Sequence, residues 1–382
     1  MTEPVVLIEK NRLGSGSSGA SGGILHQAYS DRLLAGMSRD AIKTYAHMQS
    51  ATGRSVGYRR TGVLLLADDG GGVHREQLEK DLEMHRSIGI VADAVNADEI
   101  RALCPGIEVA DDAMGSFQPE GGFVAANRTI QTFATLARNA GVATRIGMTQ
   151  PEVMVEKGRV VGVRTEEDMF EATTVVLSVG AWTPKMLSGL GVDLPLRMVR
   201  VEEHYLEMPP VDVGEDEGDF GEGQSGEFET RFMFDPLDLM PVPHPVLVDL
   251  EGDYSLRPDP RHARSRISRL DVGSAEVIDA PDCIGAEVGP EFTGWAREVA
   301  SKRMPVYKDM EARGGAQSAL VLTPDGLPIV SPVPGIEGLY LVAGFSGNDF
   351  HLAPSVGEGM AQMVLGQPVS AFDPDVFSAT RF

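Results

Sequence analysis

The sequence predicts an α/β fold in which a parallel-sheet unit is joined to a second, α+β unit with a mostly antiparallel sheet. Three observations predict it. The chain opens on an apolar run closed by an acid, Val5-Val6-Leu7-Ile8-Glu9, the pattern of a buried parallel strand. It closes on an apolar strand at 339–342, a loop carrying Gly344 and Gly347, and an amphipathic helix. Between them the pattern turns strand-like, at 153–155, 160–163 and 175–179 and again over 199–208.

The opening strand looks like the second strand of a dinucleotide-binding unit, with Glu9 placed to take a ribose hydroxyl. The first strand of such a unit, with its G-x-G-x-x-G turn, belongs about 20 residues upstream of the acid. Only eight residues precede Glu9, so the expectation is that both are missing, through a late start codon or a truncated gene. A Gly/Ser loop follows at 14–23. Leu33, Leu34, Met37, Ile42, Tyr45 and Met48 then mark a helix closed by Gly53. A short strand is expected at 62–66, an exposed helix at 75–88, and a helix at 98–103 stopped by Pro105-Gly106. A turn region is expected at 117–123 and an amphipathic helix at 128–139, ended by Gly141.

The strands at 153–155, 160–163 and 175–179 read as a meander, the first two joined at Lys157-Gly158. The third runs into Gly180-Ala181-Trp182. Residues 212–229 are rich in Gly, Asp and Glu and are expected to be a solvated loop or local disorder. Residues 232–256 are Pro-rich and strand-like, and 291–303 reads as a helix. In the last helix Pro354 suits the first turn, Val356, Met360, Met363 and Val364 form the apolar face, and Gly366 ends it. Its start offers unpaired N–H groups and a positive dipole end to an electron-rich group.

At 382 residues the chain is long enough for two domains. With 33 Lys+Arg against 56 Asp+Glu, the net charge is −23, which argues against a nucleic-acid partner because no basic patch is available to meet phosphates. No apolar run approaches the roughly 20 residues of a membrane span. Glu3 and Pro4 sit where a signal peptide would need basic residues. Cys104 and Cys283 have no metal-type neighbours, so no metal site is expected, and a reduced, cytoplasmic setting is.

Five segments then converge: VVLIEKNRLGSGSSGASGGI (5–24), PEGGFVAANR (119–128), VVLSVGAW (175–182), DYSLRPD (253–259), and TPDGLPI (323–329) followed by GFSGNDFHLAP (344–354). In this order they resemble FAD-dependent amine and amino-acid oxidoreductases of the D-amino-acid oxidase, sarcosine oxidase and glycine oxidase superfamily. The resemblance spans nearly the whole chain. It implies an FAD-binding Rossmann-like domain assembled from 1–58, 125–195 and 316–382. Residues 59–124 and 196–315 would form the substrate domain.

The resemblance also implies roles. Glu9 would bind the adenosine ribose with Lys10 alongside. Ser18, Ser21, Gly22 and Gly23 would bring backbone N–H groups to the ribityl chain and pyrophosphate, and Val153 would meet the adenine. Gly180 and Trp182 would lie against the cofactor, although Trp182 could equally pack the core. Gly344, Ser346, Gly347, Asn348 and Phe350 would pass beside the isoalloxazine. Tyr254, Arg257 and His351 are the candidate catalytic and substrate contacts, Tyr254 and Arg257 having a plain sheet face as their alternative. His351 stands where sarcosine-oxidase-like relatives often carry a carboxylate-binding Lys, and would act only when protonated. His26 is a weaker candidate of the same kind.

The implied reaction is oxidation of the C–N bond of a secondary amine or amino acid by hydride transfer to flavin N5, with oxygen or an electron-transfer partner as acceptor. No Cys lies near the flavin motifs and no His within GSSGASGG, so non-covalent FAD is expected. Two departures stand out. Asn348-Asp349 replaces the usual His-Gly of the flavin loop, and Leu320 stands where glycine-oxidase-like relatives carry a carboxylate-binding Arg. A flavoprotein-like assembly scaffold and an inactive truncated product are the alternatives.

Overall fold

The computed structural model describes residues 4–68, 70, 72–211, 240–281, 285 and 287–382. The loop expected at 212–229, the first part of the Pro-rich stretch and Cys283 lie outside the described residues. Strand β1 (Val6–Glu9) leads through the one-turn helix α1 (Ser17–Ala20) to β2 (Ile24–Leu25) and the long helix α2 (Arg32–Thr52). Then come β3 (Val63–Ala67), α3 (Val73–Ser87), β4 (Asp93–Asn96), α4 (Ala97–Leu103), β5 (Met114–Gln118), β6 (Gly122–Phe123) and α5 (Ala126–Asn139). The middle of the chain forms β7 (Ala143–Ile146), β8 (Glu152–Glu156), β9 (Arg159–Arg164), β10 (Met169–Glu171), β11 (Val175–Leu177), α6 (Thr183–Gly189) and β12 (Arg197–Glu207). The rest is β13 (Val246–Asp249), β14 (Tyr254–Asp259), β15 (Arg264–Arg269), α7 (Pro290–Arg303), β16 (Ala312–Leu322), β17 (Ile329–Pro332), β18 (Leu339–Ala343) and α8 (Asp349–Val364).

One large sheet runs in the order β16-β12-β15-β14-β13-β3-β5-β4. It is antiparallel except where β13 lies parallel to β3. Its strands alternate, so one face is apolar: Leu64, Leu206, Leu247, Tyr254, Leu256 and Ile267 pack with Phe292, Ala296 and Ala300 of α7. The opposite face carries Glu203, Tyr205, Ser255, Arg257, Asp259, Arg264 and Arg266, with Arg257 opposite Arg266 across the ladder. That polar face looks toward the loop after β1. Strand β16 crosses residue 316, the expected domain boundary, as a single ladder with β12.

The parallel pieces are smaller. Strand β1 pairs with β7, and β11 pairs with β18, both in parallel. The opening strand is less buried than its sequence suggests, with Val5 58% and Val6 39% exposed, because among the described residues it has a single neighbour. The expected meander is real for its first two strands, but its third is β10, not 175–179. Residues Val175–Leu177 leave the meander for the parallel ladder with β18, where Leu177 and Leu339 share a buried cluster. The turn region at 117–123 is the joint between β5 and β6 rather than a free turn.

Local chemistry explains several boundaries. Helix α4 starts on a capping box: the Asn96 Oδ1 accepts from the Asp98 and Glu99 amides while Glu99 accepts from the Asn96 amide. Helix α8 starts at Asp349, five residues before Pro354, so the proline lies inside the helix and not in its first turn. A proline has no N–H to give the carbonyl four residues back. That carbonyl is Phe350 O, and the Tyr45 hydroxyl of α2 donates to it at 2.8 Å.

Candidate active site

Two cavities meet at the start of α8. The first, about 410 Å³, lies between the ends of β11 and β18, the α1 turn and the face of α8 carrying Val356 and Met360. Its rim is backbone: Ser17, Ser18, Gly180 and the run Gly344 to Gly347 line it. Gly344 has φ +72°, and a Cβ there would lie 2.6 Å from Thr323 Cγ2. Gly180 (φ +52°), Ser346 (φ +53°) and Gly347 (φ +94°) are also left-handed, so the loop turns tightly and presents peptide groups rather than side chains. The Ser346 amide donates to Val321 O at 3.3 Å, tying the loop to β16.

The second cavity, about 300 Å³, lies between the α1 loop and the polar end of the large sheet. Ser21, Gly22, Glu202, Glu203, Leu320, Gly347 and Asp349 are among its walls, and Ser17, Leu320, Gly347 and Asp349 line both cavities. Arg266 forms a largely buried ion pair with Glu203 and donates to Ala20 O at 2.7 Å, which clamps the α1 loop to the sheet. Burial raises the Asp349 carboxyl above the usual range, its helical amides opposing in part.

Under the loop sits a layer of buried titratable groups. The rings of His26 and His351 are 4.1 Å apart, and Tyr29 meets His351 edge-on at 5.9 Å. His26 Nδ1 accepts from the Ala28 amide at 3.1 Å, so the neutral ring carries its proton on Nε2. Burial, helped by His85, pushes His26 down to about 4. Burial and then His26 hold His351 well below the ordinary histidine value. Neither nitrogen of His351 has a hydrogen-bond partner among the described residues.

The sequence-predicted residues divide accordingly. Ser18, Gly180, Gly344, Ser346 and Gly347 line the first cavity, and Ser21, Gly22 and Gly347 the second. Gly23 is a tight backbone approach, where a Cβ would lie 2.4 Å from Val124 O. Glu9 ends β1 and accepts from the Asn11 amide at 2.7 Å. Lys10 Nζ stands 4.7 Å from the centre of the Trp182 ring, and Trp182 packs against Ala181, Met198, Ile278 and Ala319. None of Glu9, Lys10, Trp182 and Val153 lines either cavity; Val153 packs on the β11–β18 sheet. Asn348 accepts from the Tyr29 hydroxyl at 3.1 Å.

Four expected contacts turn away from the cavities. Phe350 is buried with Leu25, Ala41 and Tyr45, because it faces α2 from the first turn of α8. Tyr254 points into the apolar core of the large sheet, as alternation along β14 requires. Arg257 lies on the polar face but is covered by Phe123, 3.9 Å from the ring centre. Its Nε and Nη1 lack hydrogen-bond partners among the described residues, and burial followed by Arg266 lowers it to about 9. His351 packs on His26. The sequence reading missed Glu202, Glu203 and Arg266. The strand VRVEEHYLE carried the alternation, but nothing in it told which acid would meet an arginine 63 residues away.

The residues around the first cavity fit FAD. Its walls are glycine backbone and apolar helix, and the buried Thr183 hydroxyl, two residues past Ala181 of its lining, has no partner among the described residues. Comparison with known proteins agrees. The human peroxisomal sarcosine oxidase is 23% identical over 372 residues, covering 96% of this chain and 86% of that protein. The 4-methylaminobutanoate oxidase (formaldehyde-forming) of Paenarthrobacter nicotinovorans is 24% identical over 388 residues, 99% of this chain but 42% of its own length. Among solved structures, L-proline dehydrogenase from P. horikoshii superimposes with a TM-score of 0.82 at 18% identity, over 100% of this chain and 91% of that one. Residues 2–363 match the DAO family, FAD dependent oxidoreductase, and the chain belongs to it.

Proposed function

We propose that this oxidoreductase oxidises the C–N bond of an amine or amino acid. The observation that carries the reading is the junction of the two cavities: a backbone-walled space fitted to FAD meets a second, polar space at Gly347 and Asp349. Bound FAD supplies the two-electron acceptor for the C–H bond next to nitrogen. The protein's share is placement. Ser18, Ser21 and Gly22 present backbone amides along the cofactor, Gly23 fixes the turn by donating its own amide to the Ser21 hydroxyl, and Glu9 and Lys10 stand at the ribose end. The Gly344–Gly347 loop and the α8 start hold the ring's electron-rich side, where a helix N-terminus favours negative charge by up to about 2 kcal/mol.

The Arg266–Glu203 pair locks the α1 loop to the sheet beside the substrate space. Asp349, half-buried and without a cation of its own, can take the proton that a substrate ammonium must lose before oxidation. Among the described residues no cysteine lines either cavity, and Cys104 is buried in the core of the large sheet, which supports non-covalent FAD. Its free thiol is consistent with a reducing, cytoplasmic setting. No helix among the described residues is long and apolar enough to cross a membrane.

The test is optical. Purified protein supplied with FAD should be yellow and should bleach when mixed anaerobically with an amine panel that includes sarcosine, dimethylglycine and D-amino acids. Readmitting oxygen then separates an oxidase from a dehydrogenase. A protein that stays colourless in excess FAD, or that is yellow and bleached by no amine, overturns the reading.

A further inference from the structure

On the reading that the first cavity holds FAD, we infer that Arg257 is a specificity-determining residue, which anchors a carboxylate carried by the amine substrate at the end of the second cavity beside Ser268. The polar face of the large sheet carries Arg257, Arg264 and Arg266, and two of the three are committed. Arg264 Nε donates to Asp259 at 3.1 Å, and its guanidinium carbon stands 3.8 Å from the centre of the Tyr205 ring. Arg266 is held by Glu203 and by Ala20 O. Arg257 is 4% exposed, and its Nε and Nη1 have no hydrogen-bond partner among the described residues. The Asp259 carboxylate stands 3.9 Å from Nη1, beyond hydrogen-bonding distance, and already accepts from His262 and Arg264. A guanidinium so desolvated, with donors unsatisfied, is costly to hold. A carboxylate is the group whose geometry matches it.

Register brings this side chain within reach of the cavity. Ser255 and Ser268 stand opposite each other in the β14–β15 ladder with their hydroxyls 2.9 Å apart, and Ser268 lines the second cavity. Arg257, two residues past Ser255 on the same face, is the diagonal neighbour of Ser268, at the roughly 7–8 Å that long side chains span. Both serines are short, so the sheet surface between the guanidinium and the cavity is low. Phe123 covers the face of the guanidinium, 3.9 Å from the ring centre, and a guanidinium stacked on a ring keeps its N–H groups in its own plane, where a carboxylate meets them. Arg257 and Arg266 are also directly opposite each other, and an anion between them relieves the repulsion of like charges.

The two other positions from which a carboxylate ligand was expected supply none. Leu320 is a hydrocarbon wall of the same cavity. His351 is buried against His26, which holds its ring neutral. The acids nearby do not bar an anion: Glu203 is paired with Arg266, and Asp271 and Glu276 on the outer wall are exposed to water. The substrate then lies with its reacting nitrogen toward Gly347 and Asp349 and its carboxylate toward Ser268, all on the wall of one cavity.

A matched pair of probes tests this: 4-methylaminobutanoate and N-methylbutylamine, nearly equal in length and differing in the carboxylate. Calorimetric titration into apoprotein and FAD-loaded protein reads binding, and flavin absorbance reads reduction. The carboxylate probe should bind at least about tenfold tighter. Arg257→Met keeps an apolar stem under Phe123; its preference should fall to within about twofold, with no drop in the Tm of the ligand-free protein, because an unpaired buried charge is gone. Arg257→Lys should keep part of the preference. Ser255→Leu leaves the guanidinium but fills the surface between it and the cavity, and should cut the preference about threefold or more while N-methylbutylamine binds as before. Acetate should displace 4-methylaminobutanoate and leave N-methylbutylamine bound. No preference in the native protein, a preference untouched by Arg257→Met, or acetate that binds without displacing the carboxylate probe overturns the proposal, the last by making Arg257 a site for a free anion. Should Arg257→Met not fold, Ser255→Leu decides in its place. If the preference holds but no amine bleaches the flavin, the anchor stands and the redox reading falls. If amines bleach the flavin and the preference is absent, the redox reading stands and the anchor falls.

Discussion

The two cavities are built on opposite principles. The first is made of backbone: glycines in left-handed conformations, a helix start and apolar side chains, with Asp349 the one charged residue among the described residues that line it. The second is made of charge, and its shape depends on which acid meets which arginine across strands far apart in sequence. A backbone cradle tolerates little change in sequence, because a Cβ at Gly344 or Gly23 would collide with its neighbour. A charged wall can be redrawn by single substitutions. The difference teaches that cofactor identity and substrate identity are recorded in different currencies, the one in glycine spacing and the other in long-range pairing.

The strongest way to break the comparison is to remove the ion pair on which the second cavity rests. Glu203→Ala would strand Arg266 in a largely buried site and should cost about 3–5 kcal/mol in denaturant unfolding. The companion Glu203→Ala/Arg266→Met should recover much of that. A single variant costing under about 1 kcal/mol would show that the charged wall is ornament and that the cavity is shaped by packing.

Next in size is the pH response of the layer beneath the loop. His26 is held at about 4 against an ordinary 6.5, a depressed folded-state value. The stability it contributes is complete above about 6.5 and is lost as pH falls toward 4, by about 3 kcal/mol, and His351 acts in the same direction. Asp349 has the opposite sign: its raised carboxyl favours the folded state at low pH and loses that advantage as pH rises. Unfolding free energy followed from pH 8 to 5 should therefore fall, and fall more steeply in Asp349→Asn, which removes the opposing group. A flat profile in that variant would mean that the two rings are hydrated and ordinary.

Gly344→Ala comes third. A left-handed alanine costs roughly 1–2 kcal/mol, and the contact with Thr323 adds to it, so about 2 kcal/mol of stability should be lost together with most retained flavin. The stability contributed by the Arg266–Glu203 pair should be unchanged in that background. Loss of both together would unite the cavities that the comparison separates.

Much of the first cavity was legible in the sequence because its determinants are local. Gly344, Gly347, Gly180 and the Ser18–Gly23 turn each serve through their own backbone, so spacing along the chain reports them. The fold class was legible for the same reason, since the strands at 153–155 and 160–163 and the helix at 291–303 declare themselves by local composition and period. The second cavity was not. Alternation along β14 decides that Tyr254 faces the core and Arg257 the polar side, but the parity of a strand is fixed only by what it packs on. Likewise 175–179 has the composition of a meander strand, and only its burial against Leu339 assigns it to the parallel ladder.

The smallest expected effect concerns the helix whose start divides the two cavities. Pro354 leaves Phe350 O without its helical donor, and the Tyr45 hydroxyl replaces it. Both groups are buried, so Tyr45→Phe should cost about 1–2 kcal/mol through the unsatisfied carbonyl. Pro354→Ala restores an N–H to the same carbonyl, so Tyr45→Phe should cost distinctly less in that background. The double-mutant cycle reads the coupling directly. Additive effects would mean that the carbonyl is hydrated and that α8 does not need α2 to fix its first turn. Non-additivity would show that the loop between the cavities is positioned from behind, by a hydroxyl 305 residues away in sequence, rather than by the cofactor it is shaped to hold.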